Sequence, residues 1–399
     1  MSTVRIIPSS LCGCVCAPPS KSAAHRALIC SFLAGGGSVE PIADSDDMRA
    51  TQGVTAALEN GGTTLNCLES GSTLRFMLPV AAALGREVTF VGEGRLPQRP
   101  LGEYLNLLPK FGVNVESDGG LPLSISGRLR NGSYEVSGDV SSQYITGLLL
   151  ALSCVEGDSA IILKTPLQSK PYVDMTVKVM ADYGVNVRET EFGYLIHGGQ
   201  TFGKLDYTVE GDWSQAAFFL VAGAISGEVT VSGLDMQSTQ GDKAIVQILK
   251  DFGADVSVDG DSVTVKKSCL KACNVNAENI PDLVPIIAVL AANAEGTTVI
   301  SGAERLRYKE SDRLESVVTN LRALGADAEE LEDGIKITGS KLHAAELNSF
   351  NDHRIVMAFS VAALAADGEV KIDGCESINK SYPSFFEDYN MIGGKADVL

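Results

Sequence analysis

Six short segments that begin with glycine and continue into β-forming residues recur along this chain. They start at positions 37, 85, 157, 227, 296 and 368, so successive steps are 48, 72, 70, 69 and 72 residues. A glycine followed by alternating β-formers predicts a strand after a turn. Most of these strands are followed by a loop, an amphipathic helix, another glycine and a further strand. This period predicts a repeated α/β unit, with three copies in each of two similar halves.

A helix of a different kind precedes each of the six strands. Their sequences are SKSAAHRALICSFLAG, SGSTLRFMLPVAAALG, SSQYITGLLLALSCVEG, DWSQAAFFLVAGAISG, PDLVPIIAVLAANAEG and NDHRIVMAFSVAALAADG. The bodies of these helices are apolar nearly all round, which predicts burial on every side. Their first turns are polar or charged, so we expect those turns to face water or a charged ligand.

The length of 399 residues favours two domains over one core. We predict a first domain over residues 20–211 and a second formed by residues 1–19 with 212–399. The predicted fold is α/β, with three βαβαββ units around buried parallel helices in each domain. A strand over residues 2–16 is expected to pack in the second domain. Trp213, the only tryptophan, is interpreted as packing near the domain crossing.

Composition excludes several classes of function. The formal net charge of −18 argues against nucleic acid as a partner, because duplex binding needs a basic face. No apolar run reaches the roughly 18 residues needed to cross a bilayer, and the N-terminal sequence lacks the features of a signal peptide. Nine cysteines, an odd number, fit a reducing compartment. We therefore expect a cytoplasmic protein that binds small molecules and does not associate with a membrane.

The segment PPSKSAAHR predicts an anion site. Two prolines end the preceding strand, and Ser20 or Ser22 can cap the helix that follows. The unpaired N–H groups of that helix start lie beside Lys21 and Arg26, which together favour an anion. The alternative is an ordinary surface helix start. Gly71 in SGSTLR, with Arg75 one turn later, presents the same choice between capping and close approach to an anion.

Eight segments, in order, resemble the EPSP synthase (3-phosphoshikimate 1-carboxyvinyltransferase) family. They are PPSKSAAHRALI, ESGSTLRF, GRLPQRPL, SSQYITGLLLAL, SKPYVDMT, ERLRYKESDRL, NDHRIVMAFSVAAL and KSYPSFF, and they span residues 18 to 386. The resemblance implies a two-domain inside-out α/β barrel fold. It also implies transfer of the enolpyruvyl group of phosphoenolpyruvate to the 5-hydroxyl of shikimate 3-phosphate, with release of phosphate. This step belongs to the shikimate pathway and needs neither a metal nor an organic cofactor. We expect a monomer.

The same resemblance implies the site residues. Those implied for shikimate 3-phosphate are Lys21, Ser22, Arg26, Ser141, Ser142, Gln143, Ser169, Tyr172, Asp282 and Lys309. Those implied for phosphoenolpyruvate are Lys21, Gly71, Arg99, Gln143, Arg313, Arg354 and Lys380. Glu310 is assigned as the acid at carbon and Asp282 as the base at oxygen, with Lys21 assisting. Asp352 and His353 are expected to orient their neighbours.

The chain departs from the commonest family pattern at two positions. Glu69 and Arg305 stand where many members carry asparagine. An added carboxylate at residue 69 is expected to weaken anion affinity, which the added cation at residue 305 would partly offset. Gly71 keeps the small residue associated with sensitivity to glyphosate, which mimics phosphoenolpyruvate.

Three alternative functions remain open from the sequence. The related UDP-N-acetylglucosamine enolpyruvyl transferases usually carry a reactive cysteine in a loop of the first half, whereas the loop over residues 95–101 has none. A metal-binding or thiol-redox protein is suggested by Cys12, Cys14 and Cys16. These three thiols share one face of a strand, where we expect core burial, and Cys269 and Cys273 lie far away in sequence. The third alternative is an inactive binding module.

Overall fold

The chain folds into two α/β units, each with its own hydrophobic core. The computed structural model describes residues 2–399. Residues 20–209 form the first unit, and residues 2–19 with 210–399 form the second unit. One buried cluster fills each unit. The predicted α/β class is confirmed.

The first unit contains six α-helices and ten strands, four of which form the hairpins β6–β7 and β10–β11. Its helices are α1 (Lys21–Ala34), α2 (Asp46–Glu59), α3 (Gly71–Ala83), α4 (Gly102–Leu107), α5 (Ser142–Cys154) and α6 (Lys170–Asp182). Its strands are β3 (Val39–Glu40), β4 (Thr64–Asn66), β5 (Val88–Val91), β6 (Val113–Glu116), β7 (Leu123–Gly127), β8 (Ser133–Val136), β9 (Ser159–Leu163), β10 (Val187–Thr190), β11 (Gly193–Ile196) and β12 (Tyr207–Thr208).

The second unit contains the two N-terminal strands and the C-terminal half of the chain. Its helices are α7 (Trp213–Ser226), α8 (Ile245–Asp251), α9 (Val284–Ala292), α10 (Arg313–Ala323), α11 (His353–Ala362) and α12 (Phe385–Met391). Its strands are β1 (Thr3–Ile6), β2 (Cys12–Cys16), β13 (Glu228–Ser232), β14 (Asp255–Asp259), β15 (Ser262–Lys266), β16 (Val275–Asn276), β17 (Thr297–Ser301), β18 (Asp327–Leu331), β19 (Gly334–Thr338), β20 (Ala345–Asn348), β21 (Val370–Asp373) and β22 (Ala396–Val398).

Each of the six glycine-led segments forms a strand, namely β3, β5, β9, β13, β17 and β21. Five of these strands lie inside four-stranded sheets, between one parallel and one antiparallel neighbour. In the sheet of β21 the antiparallel neighbour is β1, so the two ends of the chain together supply the outer pair β1 and β22. The strand predicted over residues 2–16 is therefore two strands, in two different sheets.

The first repeat is shorter than the others, and the structure shows why. Strand β3 pairs with β12 in a two-stranded sheet. Helix α2 runs directly into β4, whereas the other repeats place an antiparallel pair after the outer helix. The missing pair accounts for the step of 48 residues against 69 to 72 elsewhere.

The six apolar segments form the buried helices α1, α3, α5, α7, α9 and α11. Every residue of α7 and of α9 is buried, as their all-round apolar sequences predict. The polar first turns supply the caps: Ser20, Ser70 and Ser141 cap three helices of the first unit, and Asp212 and Asp352 cap two of the second. Each of these five side chains accepts a hydrogen bond from a backbone N–H group of the first turn that it caps.

The cysteines of β2 are not in the core, so that prediction was wrong. Cys12, Cys14 and Cys16 are all exposed, and Val15 on the opposite face is buried. In register beside them on β13 lie a glutamate, a threonine and a serine. The shared face was predicted correctly, but the more apolar valine takes the inner side. Polar alternation along β13 was the signal that marks this face as outer.

Candidate active site

The first turn of α1 is fixed by a capping serine and an ion pair. Ser20 accepts a hydrogen bond from the backbone N–H of Ala23 at 3.4 Å. Lys21 Nζ lies 2.7 Å from Asp47 Oδ2, and each of the two side chains is about one-seventh exposed. Asp47 was not predicted, because an acidic residue in the first turn of α2 is what an ordinary helix start contains.

Arg26 is buried and clamps the elements around it. Its Nε–H donates to Thr176 Oγ1 at 2.8 Å, and its Nη groups donate to the carbonyl oxygens of Ser22 at 2.6 Å and Tyr172 at 2.8 Å. Burial lowers the pKa of Arg26 to about 10, so it keeps its charge at neutral pH. The guanidinium thus ties α1 to the first turn of α6, where Ser169 adopts a left-handed conformation with φ 55°.

Glycine at position 71 makes room for an arginine. A Cβ atom added there would lie 2.6 Å from Arg99 Nη1 and 2.8 Å from its Cζ, closer than any carbon can approach without a shift. Arg99 is 7% exposed and immediately follows a short 3₁₀ turn. The structure therefore brings together Gly71 and Arg99, two predicted site residues from different segments of the first unit.

A second arginine orients the amide of Gln143. Arg75 Nη1–H donates to Gln143 Oε1 at 2.6 Å, and Gln143 Nε2–H donates to Ser72 Oγ at 3.0 Å. Ser141 caps the helix on which Gln143 lies, through the backbone N–H of Gln143 at 3.3 Å. Both amide atoms are thereby assigned, and the first turns of α3 and α5 are held side by side.

Asp282 is the centre of a charged cluster in the second unit. Arg313 Nη1–H donates to Asp282 Oδ1 at 2.9 Å, and Arg354 Nη2–H donates to Oδ2 at 3.0 Å. Lys309 Nζ lies 3.6 Å from Oδ1. Asp282 belongs to the 3₁₀ turn that precedes α9, and its side chain is 15% exposed. Three predicted cations thus meet one predicted carboxylate.

Two more carboxylates complete the surroundings of Arg313. Its Nη2–H donates to Glu310 Oε2 at 2.7 Å, and its Nε–H donates to Asp352 Oδ2 at 2.8 Å. Arg313 is 1% exposed and Asp352 is fully buried. Asp352 also accepts from the backbone N–H of Arg354 at 3.0 Å as the cap of α11, and from Ser311 Oγ at 3.1 Å. One carboxylate therefore positions both arginines.

The mutual charges of the cluster fix the protonation states of Asp282 and Arg313. Burial opposes ionisation of Asp282, but the positive charges of Arg354, Lys309 and Arg313 outweigh it and hold the pKa of Asp282 well below its usual range. Burial also opposes the charge of Arg313, and the surrounding carboxylates outweigh it, so the pKa of Arg313 lies above its ordinary value. Asp282 and Arg313 consequently both stay ionised through neutral pH.

The remaining predicted residues of the second unit lie near the same helix starts. Lys380 is 6% exposed, and its Nζ donates to the carbonyl oxygen of Asn351 at 2.6 Å, two residues before His353. His353 is buried in the first turn of α11. Ser214 was missed by sequence reasoning, although it receives a hydrogen bond from Arg354 Nη2 at 3.0 Å. Its only signal was the polar first turn of α7.

The two departures from the family pattern have defined surroundings. A Cβ atom on Gly94 would come within 2.3 Å of Glu69 Oε2, so Glu69 packs against the loop that contains Gly94. Arg305, on a 3₁₀ turn, donates to the carbonyl oxygen of Glu278.

Within residues 2–399, no group of three or more His, Cys, Asp or Glu side chains is arranged to hold a metal ion. Over the same residues, no helix is both long and apolar enough to span a bilayer. The carboxylates of Asp282, Glu310 and Asp352 surround Arg313 instead.

Comparison with known proteins gives a consistent result. A family model described as EPSP synthase (3-phosphoshikimate 1-carboxyvinyltransferase) matches residues 42–389. A 3-phosphoshikimate 1-carboxyvinyltransferase of Clostridium novyi is 42% identical, with coverage of 100% of this chain and 99% of the relative. One from Methanocorpusculum labreanum is 42% identical, with coverage of 96% and 97%.

Solved structures share the fold. An EPSP synthase from Acinetobacter baumannii superposes with a TM-score of 0.83 at 26% identity, over 100% of both chains. The enolpyruvyl transferase NikO from Streptomyces tendae gives a TM-score of 0.81 at 18% identity, over 100% of this chain and 99% of the other, which shows the fold alone.

Proposed function

Because this chain belongs to the EPSP synthase (3-phosphoshikimate 1-carboxyvinyltransferase) family, we propose that it transfers the enolpyruvyl group of phosphoenolpyruvate to the 5-hydroxyl of shikimate 3-phosphate. The observation that carries the proposal is the cluster around Asp282, in which two carboxylates and three cations meet. The products are 5-enolpyruvylshikimate 3-phosphate and phosphate. The reaction is a step towards chorismate and the aromatic amino acids.

The reaction proceeds by addition and elimination. The 5-hydroxyl oxygen attacks C2 of phosphoenolpyruvate while its methylene carbon gains a proton, which gives a tetrahedral intermediate with a methyl group. Loss of a methyl proton and of phosphate then restores the double bond. We assign the proton at carbon to Glu310 and the hydroxyl proton to Asp282, with Lys21 assisting.

The geometry of the cluster supports these roles. Glu310 is the more accessible carboxylate, at 20% side-chain exposure, and Arg313 holds it at 2.7 Å. Asp282 is ionised, as a base must be, but its depressed pKa makes it a weak base while three cations surround it. An anionic substrate that engages Lys309 and Arg354 would draw those charges away from Asp282. The pKa of Asp282 would then rise, so that substrate binding would itself activate the base.

The cations also explain how an acidic chain binds two anions. Both substrates carry phosphate, and their repulsion must be neutralised before bond formation. We assign phosphoenolpyruvate to Lys21, Gly71, Arg99, Gln143, Arg313, Arg354 and Lys380. We assign shikimate 3-phosphate to Lys21, Ser22, Arg26, Ser141, Ser142, Gln143, Ser169, Tyr172, Asp282 and Lys309. Eight of the ten residues assigned to shikimate 3-phosphate belong to the first unit, and three of the seven assigned to phosphoenolpyruvate belong to the second.

We also propose that the protein works as a cytoplasmic monomer without a cofactor. All nine cysteines are free thiols, which supports a reducing compartment. Size-exclusion chromatography with light scattering tests the oligomeric state, and a dimer mass would contradict the proposal.

The test of the function is release of phosphate from phosphoenolpyruvate, with shikimate 3-phosphate and UDP-N-acetylglucosamine offered in parallel. We expect release only with shikimate 3-phosphate. Release only with the nucleotide sugar would change the acceptor, and silence with both would support an inactive binding module.

The proton movers are tested by Glu310→Gln and Asp282→Asn, with Glu315→Gln as a matched exposed control on α10. The first two should lower kcat by about 10²- to 10⁴-fold while substrate binding stays measurable. Normal turnover in either would remove that residue from its role.

A further inference from the structure

A chain of buried polar side chains runs through the first unit behind the first turns of α1 and α3. His25 Nδ1 lies 2.7 Å from Thr51 Oγ1, which lies 2.7 Å from Thr73 Oγ1. Thr73 Oγ1–H donates to Ser70 Oγ at 2.8 Å. All four side chains are at most 1% exposed. Four polar groups linked in the core are costly unless each bond is made, so their arrangement is specific.

The direction of the hydrogen bonds follows from counting protons. Thr73 uses its only hydroxyl proton on Ser70, so Thr51 donates to Thr73. The alternative acceptor for Thr51, the carbonyl oxygen of Asp47, is farther away at 3.4 Å. Thr51 therefore accepts from His25, whose proton must be on Nδ1.

The imidazole of His25 stays neutral in this arrangement. Its Nε2 atom is buried and has no hydrogen-bond partner within residues 2–399. A second N–H at this atom would be unsatisfied, and a charge would be buried beside Lys21 and Arg26. Burial accordingly lowers the pKa of His25 to about 3.

The two ends of this row of hydrogen-bonded side chains, His25 and Ser70, adjoin the predicted substrate residues. His25 lies on α1 four residues after Lys21, hence on the same helix face. Ser70 caps α3 through the N–H of Thr73 at 3.2 Å and directly precedes Gly71. The middle residue, Thr51, lies on α2 one turn after Asp47, the partner of Lys21.

Helix α2 therefore presents one face to the first turns of both α1 and α3. In this repeat no antiparallel strand pair follows the outer helix, so α2 is held by its contacts with α1, α3 and β4. The residues at positions 47 and 51 are the polar part of those contacts. A change at Thr51 would loosen α1 and α3 from a common support.

We infer that Thr51, bonded to His25 and Thr73, is a positioning residue that fixes the Lys21 turn of α1 relative to the Gly71 turn of α3. The inference rests on the proposed function, because it is the phosphoenolpyruvate assignment that gives these two turns a common ligand. Thr51 touches no substrate in this scheme. It acts through the helices that it connects.

The test compares two buried threonines of α2. Thr51→Val replaces the hydroxyl with a methyl group of similar size and breaks the chain. Thr55→Val is the matched control, because the Thr55 hydroxyl donates to the carbonyl oxygens of Thr51 and Gln52 in its own helix. We expect Thr51→Val to raise the KM for phosphoenolpyruvate about 10- to 100-fold with a much smaller change in kcat, since small misplacements of binding groups have effects of this size. Thr51→Ser should restore the KM, and Thr55→Val should leave it unchanged.

A second variant and a readout without turnover keep the outcome interpretable. Should Thr51→Val fail to fold, Thr73→Val breaks the next link and should raise the same KM. ¹⁵N-histidine NMR should show His25 as the neutral Nδ1–H tautomer in the parent and in Thr55→Val, and altered in Thr51→Val. An unchanged KM in Thr51→Val or Thr73→Val, or an Nε2–H tautomer in the parent, would overturn the inference. Absence of turnover in the parent protein would instead refute the proposed function, and the NMR comparison would still test the chain of bonds.

Discussion

Asp352→Asn should destabilise the second unit strongly although it changes only one atom of the side chain. Asparagine caps helices as well as aspartate does, so the cap of α11 is retained. What is lost is the negative charge 2.8 Å from Arg313 Nε, where the arginine is 1% exposed and the carboxylate fully buried. Removing one partner of such a pair leaves a buried charge less compensated than before.

The size of the effect follows from burial. Breaking a buried ion pair by removing one partner costs about 3–5 kcal/mol. Asp282 and Glu310 still face Arg313, so the lower end of this range is expected. At about 2–4 °C per kcal/mol for a unit of this size, the melting temperature of the second unit should fall by about 6–12 °C. The KM for phosphoenolpyruvate should rise as well, because Asp352 positions both Arg313 and Arg354.

Asp312→Asn supplies the matched control. Asp312 caps the preceding helix α10, and its arginine partner, Arg307, lies 3.3 Å away with both side chains 25% exposed. An exposed pair of this kind contributes about 0–1 kcal/mol, so the transition should move by less than about 4 °C. Differential scanning calorimetry of both variants, with the two units' transitions fitted separately, measures the contrast. Equal shifts in the two variants would refute the reasoning that burial of Arg313 sets the cost.

Three further predictions follow from single features of the structure. The pKa of His25 is lowered from 6.5 to about 3 on folding, so the first unit should lose about 1.4 kcal/mol of stability per pH unit as the pH falls through this window. In urea titrations between pH 6.5 and 5, His25→Gln should therefore flatten the dependence of the unfolding free energy on pH. An unaltered dependence would contradict the neutral imidazole. Gly71→Ala should push Arg99 aside, because the added Cβ would overlap its guanidinium. In steady-state assays the KM for phosphoenolpyruvate should rise about 10-fold, and the inhibition constant of glyphosate should rise more. Parent-like constants would show that the position of Arg99 does not depend on the space left by Gly71. A thiol reagent should react rapidly with the four exposed cysteines, Cys12, Cys14, Cys16 and Cys269, and with all nine only after denaturation. Slow reaction of the three thiols of β2 would show that they are buried in the core.

The sequence was sufficient to predict the repeat and its helices because periodicity reports burial directly. All six glycine-led segments became strands, and all six apolar segments became buried helices. Even the incomplete first repeat was visible as the step of 48 residues, although its meaning, a missing strand pair, required the sheet order.

Individual side-chain partners were less predictable, since they depend on contacts between elements far apart in sequence. The pairing of Lys21 with Asp47 joins α1 to α2, and the bond from Arg354 to Ser214 spans 140 positions. The inward or outward direction of β2 was predicted wrongly because three cysteines are apolar enough for either face. Comparison with the neighbouring strand β13 decides it.

Deuterium incorporation tests the proposed addition and elimination most directly. The enzyme is incubated in D₂O with phosphoenolpyruvate, with or without shikimate 3-phosphate, and the methylene protons are followed by ¹H NMR. Protonation of the methylene carbon followed by loss of a methyl proton predicts deuterium in the enolpyruvyl group of the product, dependent on shikimate 3-phosphate and strongly slowed in Glu310→Gln. Release of phosphate with no deuterium at that carbon would contradict enolpyruvyl transfer by this route.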